Sequence, residues 1–139
     1  MITLVIQTVK PLIEILIVEG DLIKRASWNS EKDEVARLLP EIEKLLLANK
    51  FRFADIDKII AINGLGGFSS TRIGVTIANV LGMAVGAKLY EISWEKDSIH
   101  DLEKEIREFL ASKPEAVKLV QPMYGAAPMI SPSKKAKFV

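Results

Sequence analysis

A chain of 139 residues with 49% hydrophobic and 27% charged residues has the size and composition of one soluble globular domain. Its formal net charge of +1 provides no bulk electrostatic attraction to nucleic acid or to an acidic membrane. It contains no cysteine, which excludes disulfides and cysteine-based metal sites and is compatible with a reducing compartment.

No segment of the sequence predicts export or membrane insertion. The first residues, MITLVIQTVKP, lack the basic start and the small-residue cleavage site of a signal peptide. The longest uncharged run extends from Ile73 to Ala87, which is shorter than the ~20 apolar residues that a membrane span requires. We therefore expect a cytoplasmic protein without a membrane partner.

The first residues predict an antiparallel meander of three strands, at 2–8, 12–18 and 22–28. The first strand is almost wholly apolar, as a strand covered on both faces is. Gly20 lies in the short turn between the second and third strands, where glycine readily adopts a positive φ. The third strand carries more polar residues, as an outer strand does.

Helices and strands alternate after the meander. Ser30 is a suitable N-cap for the first helix. A short additional strand is considered at 116–120, and from Gln121 the chain is rich in Pro, Ser and Lys. Residues 1–120 should thus form a single domain and residues 121–139 an extended tail. The other predicted elements are a helix at 31–48, a strand at 58–62, a helix from Ser69 or Ser70 to about Gly86, a strand at 88–93 and a helix capped by Ser98.

This order of elements, βββαβαβα, predicts an α/β fold with one mixed five-stranded sheet. The meander makes antiparallel neighbours, while right-handed helix crossovers bring the fourth and fifth strands parallel to the first. The expected strand order is 3-2-1-4-5, with helices on both faces of the sheet.

Residues 63–74 read NGLGGFSSTRIG and connect the fourth predicted strand to the second helix. The stretch is not a P-loop, and it lacks the third glycine of the dinucleotide fingerprint. Backbone N–H groups at the start of a helix can still hold an anion. The alternative is a tight strand-to-helix connection in which the glycines provide backbone freedom. The candidate anion-binding or phosphate-binding residues are Gly64, Gly66, Gly67, Ser69 and Ser70.

The second predicted helix is nearly free of charge. After Arg72 no charged residue occurs until Lys88. A helix that is apolar nearly all round must be covered nearly all round, whereas one sheet covers one side only. The remaining cover is either a second protein, which Gly82 and Gly86 would allow to approach closely, or the third helix or the tail of the same chain.

The stretch GLGGFSSTRIG resembles the GPGSFTGLRIG signature of the TsaB (YeaZ) family. The segments LVIQT, ARLLPEIEKLL, IDKIIAI and QPMYGAAPMIS resemble, in order, the first strand, the first helix, the strand before the signature and the closing Pro-x-Tyr segment of that family. Together these pieces cover most of the chain. The positions that match the signature in register are Gly64, Gly66, Phe68, Arg72, Ile73 and Gly74, while Leu65, Gly67, Ser69, Ser70 and Thr71 depart from it.

The resemblance implies an actin-like ATPase (RNase H-like) half-domain, in agreement with the strand order above. Members of the family usually have a second half-domain, and this chain resembles a compact form in which most of that half is absent. TsaB is a non-catalytic partner of TsaD, which transfers a threonylcarbamoyl group to adenosine in tRNA, and TsaE belongs to the same complex. The resemblance therefore implies a scaffold that is not an enzyme, that contacts tRNA only indirectly and that forms a homodimer when alone.

Family members hold TsaD through their first two helices, which places the interface of this chain at about 31–48 and 70–86. Arg72 in the first turn of a helix is mildly unfavourable, which suggests a carboxylate partner across the interface or on the first helix. A plain surface arginine is the alternative. The residues expected to form the interface are Leu38, Leu39, Arg72, Val75, Ala78, Asn79, Gly82 and Gly86.

Two residues bear on catalysis. Gln7 stands where actin-like ATPases have a metal-linked aspartate, and a neutral amide is a poor ligand for Mg²⁺. Its alternative role is to cap a strand, and both interpretations argue against nucleotide hydrolysis. The sequence contains a single histidine, His100, and one histidine is too few for a histidine-based metal site within one chain. His100 is expected on the solvated face of the third helix with Lys104 and Arg107.

Two alternatives to the TsaD scaffold stay open at this point. One is a nucleotide-binding module of the actin-like superfamily, in which loops at 7–11 and 63–70 bind ATP or ADP weakly. The other is a self-pairing protein that acts without TsaD. No catalytic residue, metal or required cofactor is predicted for the scaffold.

Overall fold

The computed structural model describes residues 1–64, 70–95 and 100–122. The chain begins with a meander and continues with alternating helices and strands. The strands are β1 (Ile2–Gln7), β2 (Leu12–Glu19), β3 (Leu22–Asn29), β4 (Ile56–Gly64) and β5 (Lys88–Trp94). The helices are α1 (Glu34–Ala48), α2 (Ser70–Val85) and α3 (Leu102–Ala111), with a short 3-10 helix at Phe53–Asp55.

The strands form one mixed sheet in the order β3-β2-β1-β4-β5. β1 pairs antiparallel with β2, β2 pairs antiparallel with β3, and β4 runs parallel to both β1 and β5. This confirms the predicted sheet and strand order. The central strand β1 is buried at all of its positions because helices cover both faces of the sheet there.

The helices lie on opposite faces of the sheet, which makes a three-layer molecule. On one face α1 and α2 pack over a core that includes Leu4 and Ile59. On the other face α3 packs over a core that includes Val5 and Ile60. Since successive residues of a strand point to opposite faces, the apolar runs of β1 and β4 supply both cores. The predicted placement of helices on both faces is thereby confirmed, and α3 lies on the far side of the sheet from α2.

The first helix begins at Glu34 and not at residue 31, and the prediction that Ser30 is its N-cap is wrong. Lys32 has a φ of +62°, a left-handed conformation that a helix cannot include. Asp33 occupies the N-cap position. Ser30 instead donates a 2.6 Å hydrogen bond from Oγ to Oε1 of Glu34, a carboxylate that is buried at the start of the helix.

The third helix also begins later than predicted. It starts at Leu102, and the carboxylate of Asp101 caps it by accepting a 3.2 Å hydrogen bond from the backbone N–H of Lys104. Ser98, the predicted cap, lies outside the described residues.

The stretch predicted as a further strand at 116–120 forms a single antiparallel bridge, between Val117 and Leu89 of β5. We call residues 116–122 the edge segment. Because α3 packs on one face of the sheet and Val120 is buried in the core of the other face, the chain passes around the edge of β5 in this segment. Residues 123–139, most of the predicted tail, lie outside the described residues.

Candidate docking surface

The structure separates the predicted interface residues into core and surface positions. Leu38, Val75 and Ala78 are at most 1% exposed and lie in the core between the helices and the sheet. The prediction that their side chains contact a partner is wrong, because the sheet of the same chain already covers them. Leu39 and Arg72 lie on the exposed side of the two helices.

The two glycines at the end of α2 have roles within the chain. Gly86 has a φ of +71°, which suits the residue that follows a helix, and the N–H of Ala87 closes the helix with a 3.1 Å bond to the carbonyl of Gly82. Gly82 is buried, and a Cβ added to it would lie 3.6 Å from the carbonyl oxygen of Ala87. The helix end therefore explains Gly86 without a partner, whereas a Cβ on Gly82 would make only ordinary contacts.

Asn79 is committed to the edge segment. Its Nδ2 donates to the carbonyl of Val120 at 3.0 Å, and its Oδ1 accepts from the N–H of Val120 at 2.9 Å. The side-chain amide thus pairs with this backbone as a neighbouring strand would. The edge segment therefore covers this side of α2, in agreement with the alternative that the same chain supplies part of the cover.

The outer side of α2 has the apolar surface that the uncharged sequence predicted. Val80 is 60% exposed and Met83 is 83% exposed. The third helix cannot cover them because it lies on the other face of the sheet. We call Val80 and Met83 the α2 ridge, and within the described ranges it is open to solvent.

Beside the ridge, α1 and α2 enclose an apolar groove of about 320 Å³, which we call the helix groove. Val35 and Leu39 of α1 form one wall and are 75% and 41% exposed. Arg72 is the one charged residue among the described residues that line it. Open, apolar and formed by two helices, the groove is suited to an apolar side chain or helix of a partner. Its lining residues are Val35, Leu39, Arg72, Ile73, Thr76 and Ile77.

The glycine stretch before α2 has a packing role at both of its described ends. A Cβ on Gly64 would lie 2.8 Å from the carbonyl oxygen of Trp94, and a Cβ on Gly74 would lie 2.9 Å from Cγ2 of Thr8. Both distances are too short for a real Cβ, so these glycines allow α2 and β5 to approach the carboxyl ends of β1 and β4. Of the candidate anion-binding residues, Gly66, Gly67 and Ser69 lie outside the described residues, and Ser70 begins α2.

Gln7 caps the turn between β1 and β2. It is fully buried, and its Nε2 donates to the carbonyl of Leu12 at 2.9 Å and to Oε1 of Glu14 at 3.1 Å. Its Oε1 accepts from the backbone N–H groups of Val9, at 2.6 Å, and Lys10, at 2.9 Å. Both donors and both lone pairs of the amide are thereby used within the chain, which agrees with the strand-capping role.

The prediction that His100 lies on a solvated helix face is wrong. His100 precedes α3, and its ring stacks on the indole of Trp94 at a centroid distance of 4.1 Å and an angle of 7°. Glu105 joins the two rings, since its carboxylate lies 2.9 Å from Nδ1 of His100 and accepts a 3.0 Å bond from Nε1 of Trp94. His100 and Glu105 are only five residues apart in the sequence, so their contact is a local one. The stacking of Trp94 on His100 depends on the fold and could not be predicted from the sequence.

Across residues 1–64, 70–95 and 100–122, no three His, Asp or Glu side chains come together in a group that could hold a metal ion. In the same ranges, none of the helices has both the length and the apolar character that a bilayer crossing requires.

Comparison with known proteins identifies the fold. No protein-family model and no curated protein matches the chain. The solved structure of YeaZ from Pseudomonas aeruginosa matches with a TM-score of 0.62 and 20% sequence identity, over 66% of this chain and 43% of that chain. A structure described as an uncharacterized protein with similarity to peptidase YeaZ from Pseudomonas aeruginosa matches with the same TM-score, identity and coverage.

The chain therefore spans less than half of the length of the solved structures that it matches. At 20% identity the likeness is one of fold, and it confirms at that level the resemblance suggested by the glycine signature. The chain has the actin-like, RNase H-like α/β fold of YeaZ, with a mixed sheet in the order 3-2-1-4-5.

Proposed function

We propose that this chain is a non-catalytic scaffold of the TsaB type. It binds the enzyme TsaD through the outer side of α1 and α2 and so supports threonylcarbamoyladenosine formation in tRNA, with TsaE in the same assembly. The observation that carries the proposal is the open apolar surface of the helix groove and of the α2 ridge. Val35, Leu39, Val80 and Met83 on this surface are all at least 41% exposed.

Three features support this proposal together. The fold is that of YeaZ, and the stretch GLGGFSSTRIG, which resembles the family signature, continues along the sequence into α2, one of the two helices that form the surface. A contiguous apolar surface on a soluble domain marks an interaction site more often than an accident of composition. The contact residues are revised to exposed or half-buried positions: Val35, Leu39, Arg72, Ile73, Thr76 and Val80.

The proposal is for a scaffold because the amide of Gln7, which stands where actin-like ATPases have a metal-linked aspartate, has all of its partners within the chain. The Gln7 amide is saturated by four hydrogen bonds. The ring of His100 is stacked on Trp94 and bonded to Glu105. The Gln7 amide therefore has no donor or acceptor left for a substrate, whereas Nε2 of His100 is buried without a hydrogen-bond partner among the described residues.

Binding to TsaD from the same organism is the direct test. The purified chain should form a complex with TsaD at micromolar concentration in size-exclusion chromatography and calorimetry. Val35→Glu and Thr76→Glu change exposed side chains of the helix groove, and each should weaken the complex at least about tenfold because each places a charge in an apolar contact. Lys104→Glu on α3, on the other face of the sheet, is the control and should bind as the wild type does.

Two outcomes would contradict this proposal. One is that no complex forms at micromolar concentration, and the other is that both groove variants bind as tightly as the control. A homodimer that dissociates with the same two variants, in the absence of any TsaD binding, would favour the self-pairing alternative.

Nucleotide binding is a separate alternative that the same preparation can test. A nucleotide in an actin-like site needs polar groups at the end of β1, and the amide of Gln7 there has no free donor or acceptor. Calorimetric titration with ATP or ADP and Mg²⁺ should therefore show no binding tighter than roughly 50 μM. Tighter binding would favour a nucleotide-binding module over a pure scaffold.

A further inference from the structure

A second groove lies between the carboxyl-terminal half of α2 and the edge segment. We call it the edge groove. It encloses about 300 Å³, and none of its described lining residues belongs to the helix groove. Met83 of the α2 ridge is the one described residue that the edge groove shares with the surface proposed to bind TsaD.

The walls of the edge groove are held in place by hydrogen bonds. The N–H of Val117 donates to the carbonyl of Leu89 at 2.7 Å. Farther along the segment, the amide of Asn79 exchanges two bonds with the backbone of Val120, whose side chain is 1% exposed. A groove anchored at both places is formed before any ligand arrives, which lowers the entropic cost of binding.

The floor and lips of the groove are apolar. Gly82 lies in the floor, and a Cβ built on it would make only ordinary contacts, at 3.6 Å to Ala87 and 3.9 Å to Leu89. Its missing side chain therefore leaves usable space. Met83 and Leu119 at the lips are 83% and 52% exposed, and an unbranched methionine adapts readily to different apolar ligands.

The charges that line the groove all have one sign. Its ionisable lining residues are Lys88 and Lys118, both exposed, and no carboxylate of the described residues lines it. Two ammonium groups beside an apolar floor complement an apolar side chain that has carboxylates next to it, and they repel a basic segment.

We propose that the edge groove binds an acidic peptide segment of a partner protein. One apolar side chain of the segment lies over Gly82, between Met83 and Leu119, while neighbouring Asp or Glu side chains pair with Lys88 and Lys118. The groove selects by two features at once, an apolar anchor and a flanking negative charge.

The test is an NMR titration of the ¹⁵N-labelled full chain with the peptide acetyl-Asp-Asp-Leu-Leu-Asp-Asp-amide. Saturable shifts are expected at the amides of Gly82, Met83 and residues 116–119. Two matched peptides test the negative charge and the apolar anchor separately. One has Lys in place of Asp, and the other has Ser in place of Leu. Each should bind at least about tenfold more weakly, because it lacks the charge or the anchor.

Charge-reversal variants connect the binding to the groove. Lys88→Glu combined with Lys118→Glu should weaken binding of the acidic peptide at least about tenfold. Lys24→Glu combined with Lys104→Glu changes the net charge equally at exposed positions outside the groove, and its affinity should stay within about twofold of the wild type.

Any of three results would overturn the proposal. The amides of the groove do not shift at about 2 mM peptide, the three peptides bind equally, or the two double variants behave alike. Concentration-dependent shifts of these amides without peptide would also overturn it, since a second copy of the chain, and not an acidic partner segment, would then occupy the groove.

Discussion

At the scale of single residues, Gln7 shows how a polar side chain can be required by the fold and not by a ligand. It is fully buried, where an unpaired amide would be costly, and its four hydrogen bonds join the end of β1 to the turn after it and to β2. Its nitrogen faces two acceptors and its oxygen faces two backbone donors. The geometry therefore suits an amide specifically and neither a carboxylate nor an apolar side chain.

Gln7→Leu should lower the free energy of unfolding by about 2–4 kcal/mol, because the backbone N–H groups of Val9 and Lys10 lose their acceptor. Gln7→Glu should be at least as destabilising at neutral pH, since its second oxygen would face the carbonyl of Leu12 and the carboxylate of Glu14. Urea denaturation measures both variants. Glu19→Ala, at an exposed position of β2, is the control and should change stability by less than about 0.5 kcal/mol.

A Gln7 variant as stable as the wild type would show that these hydrogen bonds contribute little to folding. Breaking these hydrogen bonds so that the Gln7 amide could bind a ligand would then cost little free energy, and nucleotide binding near the end of β1 would regain support.

At the scale of elements, α2 has two apolar sides with opposite roles. The side with Val75 and Ala78 is buried against the sheet, whereas Thr76 and Val80 face outward. The difference between adjacent positions such as Val75 and Thr76 is one step of about 100° around the helix. A partner can contact only the second side.

Val75→Glu should lower the free energy of unfolding by more than about 3 kcal/mol, because it buries a carboxylate without a partner in the core. Thr76→Glu should change stability by less than about 0.5 kcal/mol, since the side chain stays in solvent. Thermal and urea denaturation of the two variants, which differ by one position along the same helix, provide the comparison. Equal stability of the two would mean that the rotation of α2 about its axis is different.

At the scale of the whole molecule, the edge segment connects the two outer layers. After α3 on one face of the sheet, the chain passes the edge of β5, and Val120 enters the core on the other face. Asn63 also contributes, because its Nδ2 donates to the carbonyl of Gln121 at 2.6 Å and to Oε2 of Glu91 at 2.7 Å. Two asparagine side chains, from α2 and β4, thus fix the end of this connection.

Asn79→Ala should lower the free energy of unfolding by about 1–3 kcal/mol, because it removes both bonds to Val120. Hydrogen exchange at the Val120 amide should accelerate, which native-state exchange followed by NMR would detect. Asn49→Ala removes one side-chain bond, to the carbonyl of Leu45 at the end of α1, and should leave exchange at Val120 unchanged. Unchanged exchange in Asn79→Ala would show that burial of Val120 alone holds the segment.

Local sequence pattern is sufficient to establish the sheet, its strand order and the approximate ends of α2. Strands appear as apolar runs, and a right-handed crossover leaves one way to place β4 and β5 beside β1. The uncharged run after Arg72 also predicted that α2 has apolar surface beyond what one sheet covers. These features follow from residue periodicity and from chirality, which do not depend on distant contacts.

Tertiary packing selects which residues form the exposed surface. Val75 and Ala78 are as apolar as Ile73 and Val80, so periodicity alone could not say which side of α2 faces the sheet. His100 contacts Trp94 because α3 packs against the face of the sheet where Trp94 lies. Asn79 contacts Val120 because the edge segment passes the edge of β5. Such pairings join residues from different elements, and their free energies arise only after the layers have packed.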